Sequence, residues 1–141
     1  MQQLSPEYLA ELGRQIAFLS AFLGGFAATF LATLLTSTSG GRQVTWTAAS
    51  AGVAAAAFIV AVIAGTAMAV VLSPGAPAIG AEPSRINHAR VAAALGFAVG
   101  IYAMLLALGL SGWIRSRKLG IATSSAAFIA GVIVTWAVAG F

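Results

Sequence analysis

Charged residues divide the chain into four long apolar stretches. No Asp, Glu, Lys or Arg occurs in the 27 residues between Arg14 and Arg42, the 39 between Arg42 and Glu82, the 24 between Arg90 and Arg115, or the 23 after Lys118. About 20 mostly apolar residues in helical form cross a ~30 Å hydrocarbon core. Each stretch therefore holds one span, and the longest holds a span and a linker. Runs such as 52–71 lack the period-two alternation of barrel strands, and the helix is the other way to satisfy every backbone group in lipid. The pattern predicts an all-α integral membrane protein: a four-helix transmembrane bundle in one domain over residues 1–141, with spans at about 15–37, 47–72, 88–113 and 119–139.

Local punctuation sets the expected ends. Ser5-Pro6-Glu7 reads as a helix start, with Ser as N-cap, Pro in the first helical position and Glu at the positive end of the dipole. The first helix is expected to run long, from Pro6 to about Ser37, with amphipathic N-terminal turns that mix Tyr8, Leu9 and Leu12 with Glu7, Glu11 and Arg14. Such turns fit a position at or above the membrane interface. The run 36–41 ends this helix, and Ser73-Pro74-Gly75 ends the second, opening a Pro- and Gly-rich linker to Ser84. Ser84 is the expected cap of a third helix from Arg85 to about Trp113, and the basic turn Arg115-Ser116-Arg117-Lys118 leads into the fourth. Glu7 and Glu11 stand where a cleavable signal would be basic, so the N-terminus is not expected to be a cleavable signal.

Composition sharpens this picture. Of the 141 residues, 60% are hydrophobic and 7% charged, against roughly 25% charged in an ordinary soluble domain. The chain has 33 Ala and 16 Gly, and without Cys it cannot build disulfides or thiolate metal centres. The small residues are ordered. In the first span Ser20, Gly24, Ala28 and Ala32 recur every four positions, opposite a row of Phe18, Phe22, Phe26 and Phe30. A third row, Ala17, Ala21, Gly25, Thr29 and Thr33, flanks the small one. Small residues let helix backbones approach closely, and packing drives association in lipid. Ser20, Gly24, Ala28, Ala32, Gly96, Gly100 and Gly131 are the expected helix-packing positions.

Charge says less. Four spans put Arg14, Arg85 and Arg90 on one side, and Arg42, Arg115, Arg117 and Lys118 on the other. This is a small excess by the positive-inside rule, favouring a cytoplasmic 115–118 turn. Arg85, Arg90, Arg115, Arg117 and Lys118 are candidates for lipid headgroup contact. Trp46, Trp113 and Trp136 sit near span ends as interfacial anchors do.

Candidate chemistry is sparse. Apart from Tyr102, no ionisable side chain falls at mid-depth, so neither a proton relay nor a carboxylate filter is expected. His88 is the one histidine and reads as part of a solvated helix end beside Asn87 and Arg90, with contact to an anionic ligand as the alternative. No catalytic, metal or cofactor site is expected, and no enzyme activity. A net charge of +4 within a membrane domain gives no case for nucleic acid. The expected partners are the lipid bilayer and further copies of the chain, with a larger membrane complex as another setting. A bacterial inner (plasma) membrane is the expected location.

Two functional classes follow. One is a structural or assembly role, as a self-associating multi-pass protein or an accessory subunit. The alternative is an oligomeric passive pore with the first helix on the axis. Thr29 and Thr33 would then line it, Phe22 and Phe26 would form a hydrophobic constriction, and Tyr102 would contribute at a solute site. A long first helix, a longer middle linker and four spans make a layout similar to the subunit plan of Orai calcium channels. That layout departs from the plan in having no acidic residue in the first span.

Overall fold

The computed structural model describes residues 5–37, 41–73 and 83–139. It contains four helices, α1 (Pro6–Thr36), α2 (Arg42–Val71), α3 (Pro83–Arg115) and α4 (Arg117–Ala139), with no strand among the described residues. At 1.5 Å per residue they are about 46, 45, 50 and 35 Å long. All four are long and apolar enough to span a membrane.

The ends follow local chemistry. Ser5 Oγ accepts the Tyr8 amide at 3.3 Å and Pro6 opens α1, as the Ser-Pro-Glu sequence predicts. At the other end Ser37 Oγ donates to the Leu34 carbonyl at 2.8 Å. Three expected boundaries move. α2 begins at Arg42, more than a turn before the expected 47. α3 begins at Pro83, so Ser84 lies inside its first turn instead of capping it. The basic turn shrinks to one non-helical residue, Ser116, whose Oγ accepts the Leu119 amide at 3.2 Å, and Arg117 and Lys118 join α4. The tips of both longer connections, 38–40 and 74–82, lie outside the described residues.

Packing is serial: α1 lies on α2, α2 on α3 and α3 on α4, while α1 barely touches α3. α2 is therefore the keel. Its Phe58 is fully buried among Ala27, Ala54 and Met104 and meets the ring of Phe97 edge-on at 6.3 Å. Glycines make room for it on both sides. A Cβ on Gly24 of α1 would lie 3.1 Å from Phe58 Cβ, and one on Gly100 of α3 would lie 2.6 Å from its ring. Elsewhere backbone meets backbone. A Cβ on Gly13 would lie 2.8 Å from the Gly65 carbonyl oxygen, and one on Gly96 2.9 Å from that of Ala57. The amphipathic first turns of α1 thus continue the helix and pack on the last turns of α2, with Ala10 and Gly13 buried and Glu7, Glu11 and Arg14 exposed.

The packing face of α1 differs from the expected row. Ala10, Gly13, Ser20 and Ala27 are buried and Gly24 is half-buried, whereas Ala28 and Ala32 face outward. The reason is geometric. A strict four-residue repeat advances about 40° around the helix at each step, while alternating steps of three and four stay on one line. The same drift carries the Phe row from exposed Phe18 to Phe30, which packs against the core.

Candidate functional site

Within the spans, chemistry rests on hydroxyls, one indole and backbone carbonyls. Several outward-facing Ser and Thr hydroxyls on the helices bond their own backbone. Thr29 Oγ1 donates to the Gly25 carbonyl and Thr33 Oγ1 to that of Thr29, both at 2.9 Å. Thr47 and Ser50 satisfy themselves likewise at the buried start of α2. Ser20 Oγ differs: it is fully buried with no hydrogen-bond partner among the described residues.

The seam between α3 and α4 is built differently. Thr135 Oγ1 donates to the Gly131 carbonyl at 2.7 Å. It has one proton, so the 2.7 Å bond between Tyr102 and Thr135 is donated by the Tyr102 hydroxyl. The chain Tyr102 → Thr135 → Gly131 thus crosses from α3 to α4. A second chain repeats the logic nearer the helix end, where Trp113 Nε1 donates to Ser124 Oγ at 2.9 Å and Ser124 Oγ donates to the Gly109 carbonyl at 3.1 Å. Thr123 Oγ1 also lies 3.1 Å from the Gly109 carbonyl. Gly112 lets α4 this close, since a Cβ there would lie 2.6 Å from the Leu119 carbonyl oxygen. Interhelical hydrogen bonds in lipid contribute on average ~0.6 kcal/mol each, and donors in series polarise one another.

A groove of about 450 Å³ runs along this seam, with Tyr102, Ser124 and Thr135 as its polar points and Leu105, Leu106 and Phe128 among its apolar walls. A cleft of about 570 Å³ lies on the α2 side of α3, lined by Arg42, Gln43, Trp46, Ser50, Leu106 and Leu110. Leu106 and Leu110 wall both.

The candidate residues fall into separate places. Ser20, Gly24, Gly96 and Gly100 sit in contacts between helices. Gly131 is half-buried in a looser contact, a Cβ there lying 3.9 Å from Leu105 Cδ1. Phe22 and Phe26 are 72% and 53% exposed, and Thr29 and Thr33 are exposed beside them on the outer side of α1. A water path along these four would run between chains. Tyr102 belongs to the α3–α4 seam and is not brought to that face.

Arg85 and Arg90 lie at the start of α3, while Arg115, Arg117 and Lys118 cluster at the opposite end of the bundle with Arg42. His88 is exposed beside Arg90, whose guanidinium donates to Asn87 Oδ1 at 3.4 Å. Arg14 and Glu11 form an exposed pair at 3.5 Å. Among the described residues no three His, Asp or Glu side chains gather as metal ligands would.

Sequence reading missed two features. The spacing Gly109-x-x-Gly112 facing Thr123-Ser124 is a usable signal for the hydrogen-bonded seam. Arg42 beside the cleft has no local signal, because the cleft joins residues some 60 positions apart. No protein-family model matches the chain, and no curated protein or solved structure does so either.

Proposed function

We propose that this chain is a structural or assembly protein of the membrane that self-associates through a small-residue face of α1, alone or as an accessory subunit of a larger complex. The supporting observation is the stripe Ala21, Gly25, Ala28 and Ala32, which is exposed along α1. A Cβ built on Gly25 meets nothing within 4 Å. In lipid, burying apolar surface between helices gains little, and close packing over small residues is what holds them together. A helical construction of this kind suits a bacterial inner membrane, since outer-membrane spans are barrels. The absence of an intramembrane acid or base from the sequence supports a non-enzymatic role.

Gly25→Leu and Ala28→Leu test the reading without disturbing the fold, because both positions are exposed in the chain. The expected result is a lower native mass in detergent with an unchanged monomer unfolding curve. An unchanged mass for both variants removes self-association through this face.

The exposed hydroxyl strip Thr29, Thr33 and Thr36 supports the second reading, a passive pore between copies. Liposome flux altered by Thr33→Leu or Phe26→Ala is its expected signature, and tight liposomes bearing a folded oligomer remove it.

A further inference from the structure

We infer that the cleft between the start of α2 and the end of α3 is a binding site for one anionic phospholipid, with its phosphate at Arg42 and an acyl chain along Leu106 and Leu110. The cleft holds about 570 Å³ and has the composition of a lipid boundary. Arg42 and Gln43 form its outer rim, Trp46 lies one turn deeper, and Ser50, Leu106 and Leu110 complete it below. From Arg42 to Ser50 is eight residues, about 12 Å of helix. Tryptophan favours the headgroup boundary, so Trp46, and Trp113 on α3, set that boundary just inside Arg42.

Charge selects the headgroup. Arg42, Arg115, Arg117 and Lys118 share this end of the bundle. The two described acids, Glu7 and Glu11, lie in the first turns of α1 at the other end. Arg42 therefore meets no carboxylate here among the described residues. The first turn of α2 also takes no side-chain cap from Gly41, so its amides add donors beside the guanidinium. A second copy inserted the same way brings cations to this level, not acids, and does not complement the site. A free inorganic anion leaves Trp46, Leu106 and Leu110 uncovered.

The ridge explains why a phospholipid fits better than a single-chain amphiphile. Leu106 and Leu110 wall this cleft on one flank and the α3–α4 groove of about 450 Å³ on the other. Two acyl chains straddling one ridge fill both.

The test is native mass spectrometry of the full chain released from mild detergent, titrated with phosphatidylglycerol or with phosphatidylcholine of the same acyl chains. One phosphatidylglycerol per chain is expected to be retained in preference. Arg42→Gln is expected to weaken that retention about fivefold, the factor one cation contributes near an anionic headgroup, and to weaken phosphatidylcholine less, because its choline offsets the phosphate charge. Leu106→Trp, a change at an exposed position, is expected to displace the lipid by filling the ridge flanks. Arg14→Gln at the opposite end is expected to behave as the parent does. Equal retention of the two lipids overturns the site, as does a loss with Arg14→Gln matching that with Arg42→Gln. Release of the lipid by inorganic phosphate alone shows a simple anion site and also overturns it. No residue of α1 takes part, so the result is independent of self-association through that helix.

Discussion

A single methyl group at Gly100 would enter the space of the Phe58 ring. Its Cβ would lie 2.6, 2.7 and 2.9 Å from Cε1, Cδ1 and Cζ, where carbon atoms prefer about 3.5–4.0 Å. The ring must therefore give way by about 1 Å. It is fully buried, with Ala27, Ala54 and Met104 around it and Phe97 edge-on at 6.3 Å. Overpacking of this kind costs ~1–3 kcal/mol. In water the better helix propensity of Ala would return about 1 kcal/mol. In a bilayer the dissociated helices stay helical, so little of that offset remains and Gly100→Ala is expected to destabilise by most of the packing cost. Gly25→Ala is the matched control, because a Cβ there meets nothing within 4 Å.

Denaturation by SDS in mixed micelles, followed by tryptophan emission, measures both. A double-mutant cycle tests the cause. Phe58→Leu alone loses ring contacts, but combined with Gly100→Ala it should cost less than the sum, by ~1–2 kcal/mol of coupling. Additive effects, or equal losses at Gly100 and Gly25, would refute the interlocked arrangement of α2 and α3.

Gly24→Leu should lower stability in the same assay while Gly25→Leu does not, because a Cβ on Gly24 already lies 3.1 Å from Phe58 Cβ and one on Gly25 is in open space. Ser20→Ala should hold or raise stability, by up to ~1 kcal/mol, since a buried hydroxyl without a partner is a net cost; a loss would mean that this hydroxyl is paired in the folded protein. Tyr102→Phe and Thr135→Val should each cost ~0.6–1.7 kcal/mol, the range of interhelical hydrogen bonds in lipid. The double variant should cost little more than either, and full additivity in urea or SDS titrations would dissociate the two residues.

The spans were readable because the physics behind them is one-dimensional. A run of 23–39 residues without a charge has few places to go other than lipid, and the Ser5-Pro6 cap needs no distant partner. Faces are harder, as α1 shows. A row of small residues every four positions looks like a contact in sequence. Yet Ala28 and Ala32 wind away from α2, and Gly13, Ser20 and Ala27 hold the line instead. Counting angle instead of spacing would have found this, because alternating steps of three and four are what a straight neighbour can follow. The α3–α4 seam needed more. Thr123 and Ser124 are visibly polar, but their partner, the Gly109 carbonyl, is set by the register of two helices. The Arg42 cleft needed three-dimensional placement altogether, since residues 42–50 and 106–110 form its two walls.

Two kinds of cohesion divide the molecule and bear on how it could assemble. α1, α2 and α3 interlock by shape, through glycines that admit a neighbour's backbone or the Phe58 ring. α4 is held by α3 through hydroxyl and indole bonds over a seam that keeps open grooves. The outward faces differ accordingly. α4 presents Phe128, Ile129, Val132, Ile133 and Trp136, bulky groups that acyl chains solvate well. α1 presents Ala21, Gly25, Ala28 and Ala32, where lipid finds little to contact and another helix can come close. One face of α1 is already committed to α2 through Gly13, Gly24 and Ala27. What stays open on α1 is the opposite stripe, Ala21, Gly25, Ala28 and Ala32; the self-association proposed above, if formed there, would set Thr29 and Thr33 beside the contact and leave α4 to the bilayer.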